Sequence, residues 1–418
     1  MKKSSPLIVT SLVFVEWFEY SIYLYLGSAI ASTMMPASFK NSLIFVYLIF
    51  SISYLSRPLG GLIFGYISDV SGRKKALLIS GYVMTISTLC ISLIPNYISI
   101  GLSAPLLLLL FRFSQGLAAG GEFNNSSILL MENSTTNKVI SGSWTGFASS
   151  AGMSMGAIVA VIMSKYYSAS DSWRYAYYIA TVFSIVVLLA RYKIIESYEY
   201  NHCIESQSIK SANIGLFKKL YKYKTSFLKV FIAGSFMSVY IYTCMIYFIS
   251  YHKTVSTSNN LNPMLISMTT QILVTILIPV IAAIAQATNY VKILKYCIAS
   301  ICLASFILFT ATQYSSFIGV TTAICIYAVA NAGVSAVIFR YMYNLFPTHI
   351  RCLGTSTAWG LSAALLGATS PIIANIFVSH GLVNFPWLYI LVLGLICLRS
   401  INTKKHNQKQ SNINQINA

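Results

Sequence analysis

Residues 65–75 read GYISDVSGRKK, a short polar loop between two apolar stretches, 42–68 and 74–95. Each stretch is longer than the ~20 residues that an α-helix needs to cross the hydrocarbon core of a bilayer. Gly72 permits a tight turn between the two helices, because glycine adopts backbone angles that other residues avoid. The basic run that follows, 73–75, is typical of a loop held on the cytoplasmic side of a membrane. The segment therefore predicts a hairpin of two transmembrane helices.

Apolar stretches of the same kind recur along the whole chain. Of its 418 residues, 56% are hydrophobic and only 9% are charged. A soluble protein of this size could not bury so much apolar surface. We therefore expect an all-α membrane protein with twelve transmembrane helices in two six-helix bundles. The stretches are 7–31, 42–68, 74–95, 103–131, 141–164, 174–192, 226–251, 262–288, 292–312, 315–343, 353–379 and 385–400.

One long polar interruption, 193–225, separates six apolar stretches from the next six. We expect an N-terminal bundle at 1–192, a cytoplasmic central loop at 193–225 and a C-terminal bundle at 226–400. Two such bundles are commonly related by a pseudo-twofold axis along the membrane normal. The tail, 401–418, is rich in Asn, Gln and Lys and has no apolar periodicity, so we expect it to be disordered.

The net charge of +19 has a topological explanation. With both termini in the cytoplasm, most Lys and Arg residues fall in cytoplasmic segments, as the positive-inside rule requires. The outer loops carry only Lys40, Lys165, Arg174 and Lys253. The pattern favours an integral multi-pass protein of the bacterial inner membrane, with the lipid bilayer rather than a nucleic acid as its partner. We expect it to be monomeric.

The sequence offers no set of residues typical of a metal site or an enzyme. The eight cysteines lie mostly in apolar stretches without a CxxC pair, and the five histidines are scattered in loops or at helix ends. No nucleophile and base occur together within the apolar stretches. We therefore expect no cofactor, no metal and no enzymatic activity.

Helix 1 carries two acids, Glu16 and Glu19, within an apolar stretch. Together with Tyr20 and Tyr23 they follow the spacing i, i+3, i+4, i+7, so they share one face of the helix. Charged groups at this depth face a bundle interior or a water-filled cavity and usually serve function. Glu19, near the middle of the stretch, is a candidate proton carrier. The alternative is a static ion pair that only fixes helix packing.

Helix 4 carries Arg112, Gln115 and Glu122. Arg112 and Glu122 lie ~15 Å apart along a helix, so they can line one cavity without touching. Arg112 keeps its charge and needs a carboxylate partner or an anionic ligand. A substrate carboxylate that displaces a resident Glu from it would couple binding to proton movement. Arg57, in helix 2, is expected to pair with Glu16 or Glu19 in a mainly structural role.

Helix 7 carries Tyr240, Thr243, Tyr247 and Tyr251 in one stripe, and few charges. The stripe could line the cavity opposite helix 1, where aromatic faces would suit a quaternary ammonium such as betaine. The other interpretation is ordinary packing or contact with the lipid interface. The sequence does not favour either one.

Several segments resemble one protein family. The loop at 65–75 resembles the signature between helices 2 and 3 of the major facilitator superfamily, except at Val70, where the family usually has Arg. Five further segments resemble its metabolite:proton symporter branch, which includes proline/betaine, α-ketoglutarate, citrate and shikimate carriers. They are EWFEY (16–20), RPLGGLIFG (57–65), RFSQGLAAGGEF (112–123), WRYAYYIA (173–180) and LFPTHIR (345–351).

The resemblance implies transport by alternating access. It implies that the loop residues close the inner side against helix 11, and that Glu19, Arg112 and Glu122 serve substrate or proton. We expect a proton symporter of a small polar metabolite or osmolyte, first a proline- or betaine-like zwitterion. The alternatives are a di- or tricarboxylate symporter and a degenerate, receptor-like relative that does not transport. The gate residues implied are Gly65, Asp69, Gly72, Arg73 and Lys74.

Two features depart from or refine this pattern. The loop between helices 8 and 9, QATNYVKIL (286–294), lacks the Gly/Asp/Arg pattern, so inner gating by the C-terminal half is not expected. Helix 5, GFASSAGMSMG (146–156), lacks the proline-bearing motif of drug antiporters, which favours symport.

Glycines at four-residue spacing, such as Gly61 and Gly65, predict close helix packing.

Overall fold

The computed structural model describes residues 6–36, 42–134, 136–205, 216–255 and 263–401. Across these ranges all regular structure is helical, and eleven helices are long and apolar enough to cross a membrane, with a shorter apolar helix at the end. The predicted all-α membrane fold is confirmed. The helices are α1 (Pro6–Tyr25), α2 (Ser42–Ser71), α3 (Arg73–Leu93), α4 (Ser103–Glu132), α5 (Lys138–Tyr166), α6 (Ala169–Arg191), α7 (Lys224–Ile241), α8 (Pro263–Ala287), α9 (Tyr290–Gln313), α10 (Phe317–Tyr343), α11 (Arg351–Ser362) and α12 (Pro386–Ser400).

Three of these helices are interrupted or extended, where the sequence predicted single uniform stretches. The first predicted stretch is two helices, α1 and Gly27–Met34, which meet at Leu26. Helix α7 continues through a π-helical turn, Tyr242–Tyr247, into Phe248–Val255. Helix α11 continues through a second π-helical turn, Ala363–Gly367, into Ser370–Ser379. Such turns rotate the side chains that follow them and are frequent at functional sites.

We call α1–α6 the first half and α7–α12 the second half. Within the first half, α2 packs along α4, and α1 packs along α5. Between the halves, α2 packs along α11, and α5 packs along α8 and α10. The interface between the halves is therefore built from two crossing helix pairs, α2 with α11 and α5 with α8.

Glycines allow these close approaches. Gly120 of α4 lies against the backbone of Arg57 in α2, and a methyl group there would overlap the Arg57 carbonyl. Gly61 of α2 lies in the same way against the backbone of Ser356 in α11. Small residues at such positions let helix backbones come together in lipid, where no hydrophobic effect drives association. The packing predicted from the glycine spacing is confirmed at these contacts.

One end of the molecule is closed by polar contacts. We call it the basic end: the end at which Gly72, Lys138 and Arg351 lie. Residues 192–205 fold across it and include a short helix, Tyr198–Glu205, where the sequence predicted a loop. Helix Leu216–Lys222 precedes α7. Residues 206–215 of the predicted central loop and 402–418 of the predicted disordered tail lie outside the described residues.

Candidate functional site

Two neighbouring cavities lie between the halves. The outer cavity, about 520 Å³, is at the end opposite the basic end and is bounded by side chains of both halves. The inner cavity, about 50 Å³, lies deeper, toward the middle of α1, and has Trp17, Arg57, Phe123 and Trp359 in its walls. The two share three wall residues: Met153, Tyr242 and Gln271.

Arg57 is the arginine of the inner cavity wall, and it is only 3% exposed. Its Nη2 lies 3.6 Å from Glu16 Oε1, so the two form a buried ion pair. Its guanidinium carbon lies 4.4 Å from the Tyr54 ring centroid and 4.6 Å from that of Tyr20. The sequence predicted Glu16 or Glu19 as the partner of Arg57, and the structure pairs it with Glu16. Its position in the cavity wall is not required by a purely structural role.

Glu19 lies in a separate network inside the first half. Its Oε2 accepts hydrogen bonds from Thr88 Oγ1 (2.5 Å) and Gln115 Nε2 (3.0 Å). Gln115 Oε1 in turn accepts from Arg112 Nη1 (2.9 Å), whose guanidinium stacks 3.6 Å from the Tyr23 ring centroid. All of these charged groups are fully buried. Gln115 therefore stands between Glu19 and Arg112, which the sequence could not show.

Glu122 and Arg112 line neither of the two cavities, and they lie in separate networks. Arg191, at the end of α6, donates Nη2 to Glu122 Oε1 (2.7 Å) and Nη1 to Oε2 (3.0 Å). Ser80 of α3 donates to the same carboxylate (3.2 Å). A buried carboxylate takes the nearest guanidinium that can bind it in two places. The sequence missed this partner because Arg191, near the end of the apolar stretch 174–192, resembles the cytoplasmic charges that set the topology.

The tyrosine stripe of α7 is only partly on the cavity. Tyr247 lines the outer cavity, as predicted. Tyr240 does not itself line either cavity, but its hydroxyl donates to Oδ1 of Asn331 (2.8 Å), which lines the inner cavity. Tyr251 donates to the Phe309 carbonyl (3.2 Å), away from the cavity. Tyr242, at the start of the π-helical turn, lines both cavities, and Tyr240 lies behind the wall of the inner one.

At the basic end, Asp69 joins the two halves. Its carboxylate accepts hydrogen bonds from the backbone N–H groups of Cys352 (3.2 Å) and Leu353 (2.8 Å), at the first turn of α11. It also lies 3.2 Å from Arg73 Nη1. A carboxylate at a helix N-terminus is stabilised by the helix dipole. Asp69 therefore links the end of α2 to the N-terminus of α11.

Glu132, which the sequence did not single out, lies at the centre of the basic end. Arg73 Nε donates to Glu132 Oε2 (3.0 Å), and Arg351 Nη1 donates to Oε1 (2.6 Å). Arg73 Nη2 also donates to the Thr348 carbonyl (2.7 Å). One buried carboxylate thus holds an arginine from each half. The sequence offered no sign of this role, because Glu132 is the last residue of α4 and resembles an ordinary charge at a helix end.

Glu199, in the segment 192–205, completes this ion-pair network. Its carboxylate binds Arg351 Nη1 (2.9 Å) and Lys138 Nζ (2.5 Å) and accepts a hydrogen bond from the Tyr343 hydroxyl. Burial raises the pKa of Glu199, but Arg351 and Lys138 outweigh it and hold that pKa at about 2, below the ordinary 4.5. The segment is therefore tied to the second half and to α5.

The other gate residues named by the sequence have simpler roles. Gly72 adopts a left-handed backbone with φ of 106°, which confirms the tight turn. Gly65 lies against the backbone of Leu353 in α11. Lys74 Nζ donates to the Tyr192 carbonyl (2.9 Å) at the surface, so it holds the segment after α6 rather than the second half.

The second half does contribute to closure, contrary to expectation. Gln286, at the end of α8, accepts a hydrogen bond from the backbone N–H of Val139 (3.0 Å) in the first turn of α5. Its Nε2 donates to the Thr136 carbonyl (3.3 Å). The Gly/Asp/Arg pattern is absent from this loop, but the neutral amide of Gln286 caps the N-terminus of α5.

The chain is similar to characterised transporters along most of its length. It is 28% identical over 401 residues to the proline/betaine transporter of Salmonella typhimurium, an alignment that covers 92% of this chain and 79% of that protein. The glycine betaine/proline/ectoine/pipecolic acid transporter OusA of Dickeya dadantii is 28% identical over 401 residues, with the same coverage of 92% and 79%.

Solved structures share the fold. The proton:xylose symporter XylE, bound to 6-bromo-6-deoxy-D-glucose, superposes with a TM-score of 0.75 at 15% identity, covering 94% of this chain and 93% of that chain. The human organic anion transporter MFSD10 gives 0.69 at 14% identity, covering 95% and 98%. The family model described as Major Facilitator Superfamily matches residues 11–371. This match and the arrangement of apolar helices show that the chain is an integral multi-pass membrane protein that belongs to the Major Facilitator Superfamily.

Proposed function

We propose that this protein is a secondary active transporter of the bacterial inner membrane that moves a small zwitterionic osmolyte, of the proline or betaine kind, together with protons. The observation that carries the proposal is the inner cavity between the halves, which combines one buried arginine, Arg57, with the aromatic walls Trp17, Phe123 and Trp359. The substrates named for the similar transporters of Salmonella and Dickeya support the same class.

The basic end is proposed to face the cytoplasm. The excess of Lys and Arg there supports this orientation, with both termini inside. The structure then has its outer cavity toward the outside and its ion-pair network closed toward the cytoplasm. Alternating access would rock the two bundles, 1–192 and 226–400, about the inner cavity. Opening the cytoplasmic side would break the contacts of Asp69, Arg73 and Glu132 with α11 and the turn that precedes it.

Two buried acids of α1 are proposed to carry the coupled proton. Glu16 lies beside the cavity arginine, and Glu19 lies one turn further along the same face, held by Thr88 and Gln115. A carboxylate in a dry site can exchange a proton when its partners change. Glu122 is proposed to have a structural role instead, since Arg191 binds both of its oxygens.

Uptake by the purified full chain in proteoliposomes tests this function. With an inward proton gradient, we expect accumulation of labelled proline or glycine betaine above the external concentration. A protonophore should reduce uptake to equilibration. Accumulation that persists after the gradient collapses would contradict proton coupling. Uptake of citrate or α-ketoglutarate without uptake of either zwitterion would contradict the proposed substrate class.

A further inference from the structure

We propose that Arg57 receives the carboxylate of the transported solute and that Glu16 is the group this carboxylate displaces. The inference rests on the proposed function and specifies its binding step. Arg57 lines the inner cavity, whereas Glu16 lies behind it, fully buried between the helices of the first half. A ligand that enters from the outer cavity reaches Arg57 past Tyr242, which lines both cavities.

The resident pair is held loosely. The distance between Arg57 Nη2 and Glu16 Oε1 is 3.6 Å, which is an ion pair but not a hydrogen bond. In the part of the chain that the structure describes, Arg57 Nε and Nη2 and both Glu16 oxygens have no hydrogen-bond partner. A ligand carboxylate that accepts two parallel N–H bonds would supply what Glu16 does not. Replacing Glu16 by the ligand carboxylate would therefore add hydrogen bonds at Arg57 and keep one carboxylate beside its guanidinium.

The guanidinium is fixed in place before any ligand arrives. The rings of Tyr54 and Tyr20 lie 4.4 Å and 4.6 Å from its central carbon. Aromatic contacts of this kind attract a cation and restrict its plane. The N–H edges remain available while the faces are covered. A site held this way binds a planar carboxylate with little further ordering, and a lysine cannot reproduce it.

The wall of the same cavity carries aromatic rings beside Arg57. The ring centroids of Trp17 and Phe123 are 5.7 Å apart, and those of Phe123 and Trp359 are 5.9 Å apart. These three rings form an aromatic wall next to Arg57. Aromatic faces bind quaternary ammonium groups. The ligand class is therefore a small amino acid or betaine that carries one carboxylate and one secondary to quaternary ammonium.

Displacement leaves Glu16 without its cation. The other charged groups whose fields reach it are Glu19 on α1, Glu122 on α4 and Arg191 on α6. Arg191 is already bound by Glu122. A fully buried carboxylate with no cation in contact is costly, and one proton converts it to a neutral acid. No other bond changes.

Isothermal titration of the purified full chain with glycine betaine, proline, choline and succinate tests this exchange. Titrations in two buffers of different ionisation enthalpy report protons taken up on binding. For the wild type, we expect glycine betaine binding with uptake of about one proton. Glu16→Gln should bind glycine betaine about three- to tenfold more tightly, without proton uptake, because Arg57 is then free for the ligand.

Arg57→Gln and Arg57→Lys should each weaken glycine betaine binding at least about tenfold while leaving weak choline binding unchanged. Arg174→Gln is the matched control. That arginine does not line either cavity, and it donates to the Ile94 carbonyl. Wild-type affinity in both Arg57 variants, unchanged proton uptake in Glu16→Gln, or no binding of any carboxylate-bearing probe would overturn the proposal.

The outcomes separate this inference from the proposed function. Suppose that Arg57→Gln binds betaine with wild-type affinity and still accumulates it in proteoliposomes. The transport function would then stand, and Arg57 would not be the group that binds the carboxylate. Binding of succinate alone, lost in Arg57→Gln, would keep the carboxylate exchange and remove the zwitterion as the transported solute.

Discussion

Gln286 caps the facing helix α5 by accepting a hydrogen bond from the backbone N–H of Val139 (3.0 Å). Asp69 does the same for α11 through Leu353 (2.8 Å). The two contacts join the halves at the two crossing helix pairs, α8 with α5 and α2 with α11. One cap is ionised and the other is neutral. The closed basic end is therefore held asymmetrically.

Introducing a charge at the neutral Gln286 cap should stabilise the closed basic end. Gln286→Glu places a carboxylate at the N-terminus of α5, close to Lys138, where a charged cap contributes about 0.5–2 kcal/mol. We expect slower turnover, by about two- to tenfold, because the closed state must be left in every cycle. The measurement is initial-rate uptake in proteoliposomes. Gln286→Ala, which removes the cap, should have the opposite effect on closure, and equal rates in all three proteins would contradict the cap's role.

Removing the charge of Asp69 should open the basic end. Asp69→Asn loses the ion pair with Arg73 and weakens the contact with the Cys352 N–H. Cys352 is completely buried in the closed structure, so its alkylation reports opening. We expect its alkylation rate, followed by mass spectrometry, to rise at least about threefold. Asp171→Asn, on the exposed N-terminal turn of α6, is the control and should leave the rate unchanged. A wild-type rate in Asp69→Asn would show that this carboxylate does not hold the gate.

The contribution of Glu199 to stability should depend on pH in a defined direction. Its pKa is depressed from 4.5 to about 2, so its stabilising effect is complete above pH 4.5 and is lost as the pH falls toward 2. We therefore expect Glu199→Gln to lower Tm above pH 4.5, with a gap from wild type that shrinks on acidification. Thermal unfolding followed by tryptophan fluorescence across this range measures the gap. A gap that is constant with pH would contradict the ion-pair assignment.

The helices were predictable from the sequence, but several partners of the charged residues were not. Apolar stretches of bilayer length specify helices by themselves. A buried Arg57 needed an acid on α1, but the sequence did not decide between Glu16 and Glu19. Arg191 ends an apolar stretch, and a helix-end arginine looks like a topological charge until the packing of α6 on α3 brings it to Glu122. The face that α7 turns toward the cavities depends on the π-helical turn Tyr242–Tyr247, which the spacing of apolar residues does not reveal.

The closed basic end was predictable only in part. The family resemblance implied that Asp69 meets helix 11, and it contacts the first turn of α11. Glu132 ends α4, and Glu199 lies in the segment 192–205, far along the chain from Arg351. Which of these pair is decided by how the halves meet, and the sequence does not encode that locally. The same holds for Gln286, a neutral residue in a loop that lacked the expected pattern.

Coupling through α1 should depend on Glu19. Glu19→Gln keeps the shape of the side chain and a hydrogen-bonding contact with Thr88 or Gln115 but removes the titratable group. We expect loss of accumulation above equilibrium, with at least about a third of the counterflow exchange retained, since exchange needs no net proton movement. Proteoliposome uptake with and without internal substrate separates the two activities. Glu205→Gln, an exposed acid in the segment at the basic end, is the control. Undiminished accumulation in Glu19→Gln would exclude this acid from coupling.

Breaking the Glu122–Arg191 pair from one side should cost far more than removing both partners. Arg191→Met leaves the Glu122 carboxylate buried at 0% exposure with only Ser80 as a side-chain donor, and an unpaired buried charge costs about 3–5 kcal/mol. Glu122→Gln alone leaves the guanidinium with its bond to the Leu77 carbonyl (2.5 Å). The double variant removes both charges and should recover most of the loss, because the two effects are coupled. Urea or thermal unfolding in detergent gives the double-mutant cycle. Additive losses would mean that the pair does not interact, and loss of transport in a stable double variant would move Glu122 from a structural role to a functional one.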